Sequence, residues 1–215
     1  MSKHLVTLVC AGIAVVAVPS AKANLLVNGD FSASTSEIAT PTGWTQLGPS
    51  DGVIQNSVFG TPSYMGTAAY YDLGGYGDAS GTQGDGIEQT VATTVGASYV
   101  LTFGLSDENV RGTTELTVGA GPASALYTLT VNSSYVEFQN PWTTETIDFT
   151  ATSTSSLISF VETSPSIDNG SNDPLIAGID LEASGGMPSV PEPATLSLLG
   201  IGLAGIGFMR RRRKS

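Results

Sequence analysis

Between Ser98 and Leu105 the chain alternates without a break: Tyr99, Leu101, Phe103 and Leu105 fall on one side, Val100, Thr102 and Gly104 on the other. A period of two sends those sets to opposite faces of a β-strand. No long stretch of the body has the 3.6-residue apolar period that a surface helix needs. Short runs rich in Val, Ile, Tyr, Phe and Thr recur instead, punctuated by Gly, Ser, Asn and Asp. They predict strands at Leu25–Val27, Ala68–Leu73, Gly86–Val91, Ser98–Leu105, Thr113–Val118, Ala125–Val131, Thr143–Ala151, Ser156–Val161 and Leu175–Glu182, with a tight turn at Asn28-Gly29. Regular strands with no helix between them predict an all-β fold, a jelly-roll-like β-sandwich.

The two ends have a different composition. Residues 1–23 carry Lys3, an apolar run from Leu5 to Val18 and the small-residue close Ala21-Lys22-Ala23, the pattern of a signal peptide removed by signal peptidase. The run is short for a spanning helix, which needs about 20 residues. A retained anchor is the alternative. Cys10 does not make a lipoprotein site, because Val9 stands where a small residue is required. Residues 187–215 contain Pro191-Glu192-Pro193, the uncharged run Ala194 to Met209, and Arg210, Arg211, Arg212, Arg213 and Lys214. At 1.5 Å per residue that run reaches about 24 Å as a helix, a little short of the roughly 30 Å of a bilayer core. It is predicted as a single transmembrane helix whose basic cluster holds the terminus in the cytoplasm. Gly200, Gly202, Gly205 and Gly207 make it a narrow helix, suited to packing closely against another membrane protein. Residues 24–186 remain for one β-sandwich domain.

Charge narrows what that domain can do. The protein has eight Lys and Arg against nineteen Asp and Glu, a net charge of −11, and Arg111 is the only basic residue between Asn24 and Gly186. Phosphate backbones are bound by Lys and Arg that displace counterions, so nucleic acid is excluded as a partner. The only His, His4, and the only Cys, Cys10, lie in the leader. The body has no thiol or imidazole for catalysis, no disulfide and no Cys/His zinc site.

The C-terminal residues carry a specific resemblance. Pro191-Glu192-Pro193, the short Gly-rich span and the arginine cluster, in that order and position, resemble the PEP-CTERM sorting signal of Gram-negative bacteria. The resemblance implies export, an inner-membrane precursor, recognition by an exosortase, and a mature form at the cell surface or outside it, associated with exopolysaccharide or biofilm. An ordinary tail anchor is the alternative. It would not need the Pro-Glu-Pro triplet.

The body has its own likeness. Asn24-Leu25-Leu26-Val27-Asn28-Gly29-Asp30-Phe31, Gly43-Trp44, Tyr71-Asp72-Leu73-Gly74, Gly86-Ile87-Glu88-Gln89-Thr90, Gly96 to Phe103 and Ala177-Gly178-Ile179-Asp180-Leu181-Glu182 resemble exported galactose-binding-like and carbohydrate-binding jelly rolls, including the choice-of-anchor C type. That likeness implies a structural Ca²⁺ held by an acidic residue soon after the opening strand and an Asp near the end. Asp180 matches the second. Ser32 replaces the usual Glu at the first, which leaves Asp30 or Glu37 to stand in. The oxygen-rich stretch Asp168 to Asp173 lacks full EF-hand spacing and reads either as a cation loop or as a solvated one.

Two further readings concern ligands. Sugar rings stack on aromatic faces, and Trp44, Trp142, Tyr64 and Tyr76 are candidate sugar contacts, with core packing as the alternative for both tryptophans. Tyr64 and Tyr76 lie in Gly-rich, loop-like sequence, where exposure is expected. Catalysis would need paired carboxylates, as in a glycosidase, and Asp85, Glu88, Asp107 and Glu108 are available without any pair standing out. The expectation is no enzyme, no catalytic residue and no cofactor beyond that Ca²⁺, with extracellular polysaccharide as a partner. A purely structural or adhesive envelope protein is the alternative.

Overall fold

The computed structural model describes residues 23–34, 40–75, 83–108, 112–131, 136–164 and 173–184. Residues 1–22 of the expected leader, Glu37, Tyr76, Arg111, Asp168 to Asn172 and the sorting segment with Pro191 to Pro193 and Arg210 to Arg213 lie outside them. Ten strands and one helical turn follow in order: β1 (Thr45–Leu47), β2 (Ser50–Gln55), α1 (Asn56–Phe59), β3 (Ala69–Gly75), β4 (Gly86–Ala92), β5 (Ser98–Asp107), β6 (Gly112–Ala120), β7 (Ala123–Val131), β8 (Thr143–Thr150), β9 (Ser155–Glu162) and β10 (Pro174–Ala183). They form two five-stranded sheets, β1-β4-β9-β6-β7 and β2-β3-β10-β5-β8, with antiparallel pairing throughout. The fold is a jelly-roll-like β-sandwich.

The alternation in β5 explains its place. Tyr99, Leu101, Phe103 and Leu105 point between the sheets and are buried. Phe103 meets Phe160 of β9 edge to face at 5.0 Å and Tyr127 of β7 at 5.3 Å, and Phe160 meets Trp44. Phe31 and Tyr71 continue the same cluster. Fully burying one such side chain contributes roughly 1.5–3 kcal/mol.

Two features differ from the expectation. Leu25–Val27 is not a strand. Leu25 N bonds Leu181 O, but Leu26 N goes to Asn24 Oδ1, while Val27 N and O are both taken by the Gln89 side chain. Side-chain amides intercept the groups that a ladder would need. β1 and β2 were not anticipated, because Thr45–Leu47 is short and Ser50–Gln55 begins with turn-forming residues and a register shift between Ser50 and Gly52. Among the described residues no helix is long and apolar enough to cross a membrane. The two predicted apolar spans, 5–18 and 194–209, lie outside those residues.

Candidate functional site

The sheet containing β10 does not leave its outer face bare. The segments 60–68 and 136–142 fold across it. Tyr64 lies over β5 and β10 because two glycines make room: a methyl at Gly104 would lie 2.6 Å from Tyr64 Cγ, and one at Gly178 would lie 2.8 Å from Tyr64 Cδ1. Its hydroxyl bonds Thr144 Oγ1 of β8 at 3.0 Å. Trp142 packs against Tyr64 and Tyr70, at 5.8 and 6.2 Å between ring centres, and its Nε1 donates to Pro62 O at 2.6 Å. Beyond Trp142 the rings of Phe59 and Phe138 stack at 4.1 Å and 9°, with Phe59 45% exposed.

This arrangement sorts the predicted sugar contacts. Trp44 is 6% exposed and belongs to the core, and its Nε1 donates to Asn28 O. Tyr64 is 5% exposed and turns its face to the sheet. Neither offers a surface to a sugar ring, which corrects the loop-based expectation for Tyr64. Trp142 is half-buried, and Tyr76 lies outside the described residues. Sequence reading missed Phe59 and Phe138, since neither lies in an alternating run.

Beside these aromatics three carboxylates converge. Asp72 of β3, Glu108 just after β5 and Asp173 just before β10 bring oxygens within 4.8 Å of one another. Their backbones are joined, since Glu108 N donates to Asp173 O at 3.1 Å and Phe138 N donates to Glu108 O at 2.7 Å. Burial, then the charge of Asp72, a hydrogen bond to Asp173 and the charges of Asp173 and Glu137 push Glu108 up to about 10. Glu108 therefore keeps its proton at neutral pH and donates it to Asp173. Three such oxygens are the donor type of a hard divalent cation, which would displace that proton. Glu108 and Asp173 were each singled out in the sequence, but within different groups. Asp72 was not, because only the pairing of β3 with β10 brings it near them. Of the remaining carboxylates, Asp85 and Asp107 are buried. Thr114 Oγ1 donates to Asp107 Oδ2. Glu88 is half-buried on β4.

The expected Ca²⁺ ligands fall elsewhere. Asp30 and Asp180 line one open recess of about 490 Å³ together with Asn24, Asn28, Gly29 and Gly178. Gly178 is in the left-handed region at φ 55°, and the register of β10 shifts between Ala177 and Asp180. Asp180 Oδ1 is buried and has no hydrogen-bond partner among the described residues. Burial, then the neighbouring Glu182, raises the Asp180 pKa. Asp30 Oδ1 accepts from Ser32 N and Ser32 Oγ. The recess offers oxygen donors, which fits a hard cation.

Comparison with known proteins bears on the two parts separately. Residues 189–214 match the PEP-CTERM protein-sorting motif, which marks an exported protein sorted to the cell surface in Gram-negative bacteria. No curated protein sequence matches the chain. Similar solved structures include a family 16 carbohydrate-binding module (19% identity, 74% of this chain and 99% of that one, TM-score 0.45). The CBM22-1 xylan-binding domain of Paenibacillus barcinonensis Xyn10C is another (13%, 79% and 100%, TM-score 0.49). A third is the module TmCBM61 in complex with β-1,4-galactotriose (18%, 75% and 99%, TM-score 0.48).

Proposed function

We propose that this exported, PEP-CTERM-tagged protein is a noncatalytic component of the cell surface or extracellular matrix, processed by an exosortase, whose sandwich holds polysaccharide on the outer face of the β10 sheet. The observation that supports the ligand is an aromatic group on one side of the domain: Trp142, half-buried and held from beneath by Tyr64 and Tyr70, and the stacked pair of Phe138 and exposed Phe59. Flat rings with locked orientation suit the faces of pyranose rings.

The leader belongs to the same reading: signal peptidase cuts after Ala23, and an inner-membrane precursor precedes the surface form. Ca²⁺ in the recess of Asp30 and Asp180 serves stability, since it would tie the start of the domain to its last strand. Affinity electrophoresis of the exported protein through gels containing acidic and neutral polysaccharides tests the ligand. Trp142→Ala should restore free mobility with the fold intact, and Phe59→Ala should weaken retention by a smaller factor. Equal retention of both variants and the native protein would remove the aromatic row from consideration.

A further inference from the structure

Each sheet of a sandwich has two edges, and an unpaired edge is a template for another strand unless something blocks it. Three of the four edges here are blocked. β1 is only three residues long. β2 is broken by the register shift at Ser50/Gly52 and runs straight into α1. β8 carries Glu145 and Asp148, and its Thr146 carbonyl already accepts the Tyr127 hydroxyl at 2.8 Å.

The fourth edge, β7, has none of these devices. Its sequence ASALYTLTV has no charge, no Pro and no Gly. It pairs with β6 over nine consecutive residues without a bulge, from Gly112↔Val131 to Ala120↔Ala123. Among the described residues no strand pairs with its other side. Ala123, Ala125, Tyr127 and Leu129 pack inward on the core. Ser124, Leu126, Thr128 and Thr130 face out, with Leu126 58% exposed.

From this we infer that β7 is a self-association edge, and that two copies of the protein join by antiparallel β7–β7 pairing into one continuous ten-stranded sheet. Charge selects the occupant. Two copies with a net charge of −11 each repel over most of their surfaces, and β7 is a long edge on which no carboxylates would be opposed. Register follows from the alternation, because a one-residue slip would set core-facing side chains beside solvent-facing ones. Pairing centred on Tyr127 keeps both faces in phase. Ser124 then faces Thr130, and Leu126 faces Thr128 of the other copy, twice about a two-fold axis. Hydroxyl and methyl groups are brought together, contacts worth a few tenths to about 1 kcal/mol per pair. The area is small, so the dimer is weak and depends on a crowded surface to be populated.

The inference does not rest on the sugar reading. Its test is sedimentation velocity of the exported protein, without polysaccharide, from about 1 μM to about 500 μM, where weak pairings of this size fall. A concentration-dependent monomer–dimer equilibrium is expected. Leu126→Glu with Thr128→Glu should abolish it, because four carboxylates would meet across the axis, whereas Leu126→Lys with Thr128→Glu should restore it by setting opposite charges face to face. Leu157→Glu, on the same sheet face but away from the edge, should change nothing. Slowed amide exchange in β7 at high concentration, measured on the native protein, gives the same answer without any variant. A monomer throughout with exchange independent of concentration, a dimer that survives the double-Glu change, or a dimer lost equally in Leu157→Glu would overturn the inference.

Discussion

The Tyr64 hydroxyl bonds Thr144 Oγ1 at 3.0 Å across the outer face of the β10 sheet, and the ring behind it rests where Gly104 has no side chain. A methyl at Gly104 must displace that ring. Gly104→Ala should therefore cost about 1–3 kcal/mol, the usual range for overpacking, read as a lower thermal midpoint. Combining it with Tyr64→Ala should recover part of the loss relative to the sum of the two single changes, the non-additivity expected of a direct contact. Strict additivity would place the strain elsewhere.

Glu108 predicts an unusual pH dependence. Its folded-state pKa, pushed up to about 10, lies above the ordinary 4.5, so between those values the native state holds a proton that the unfolded chain has released. Stability then falls as pH rises through that window, by up to the single-proton limit of about 1.4 kcal/mol per pH unit. Glu108→Gln keeps the donor and removes the proton exchange. Urea unfolding at pH 5, 7 and 9 should show a smaller decline for this variant and a higher stability than the native protein at pH 9. Parallel pH profiles for the two proteins would rule the assignment out.

For calcium the expected outcome is a chelation effect specific to one site. A cation present at about 100 times its Kd adds roughly 2.7 kcal/mol, which corresponds to a rise in Tm of about 8 °C for a domain of this size. EDTA should remove that rise from the native protein and from Glu108→Gln, but find nothing to remove in Asp180→Asn. Ser32→Glu, which adds a carboxylate next to Asp30, should strengthen the response. A chelation effect lost in Glu108→Gln instead would move the cation to the Asp72, Glu108 and Asp173 group.

Sorting is tested at the triplet. Replacing Pro191, Glu192 and Pro193 with Ala should leave export unchanged and trap a full-length precursor in the inner membrane, while Arg210 to Arg213 changed to Ser should release unprocessed protein, because the predicted Gly-rich run, about 24 Å if helical, would anchor poorly without its charges. An ordinary tail anchor would ignore the first change. Fractionation into membrane and surface material, with immunoblotting for size, distinguishes the two.

Where strands alternate, as in Tyr99 to Leu105, the fold was legible residue by residue, and β3 through β10 lie within one position of their predicted bounds, except for two extra residues at the start of β7, at the ends of β5 and β6, and at the end of β3. Val27 shows why the opening segment was not. Its composition suits a strand, yet the Gln89 carboxamide takes both of its backbone groups, a contact 62 residues away that no local pattern announces. The site was less legible for the same reason. Asp72, Glu108 and Asp173 become neighbours only through the order β3-β10-β5, and Tyr64 is buried only because two distant positions are glycine.

The position of β10 also sets an order of events in time. It is the last strand among the described residues, yet it occupies the middle of its sheet between β3 and β5, and its Leu181 amide and carbonyl bond Asn24 and Leu25, the first residues after the expected leader. A chain crossing the membrane from its N-terminus delivers β3 and β5 long before the strand that must join them. Until Ala183 has passed, that sheet exists only as two separate halves. The sorting motif, residues 189–214, follows it directly. Closure of the sandwich and arrival of the sorting motif at the membrane are thus nearly simultaneous, so any processing step that follows acts on a domain that has only just become able to fold.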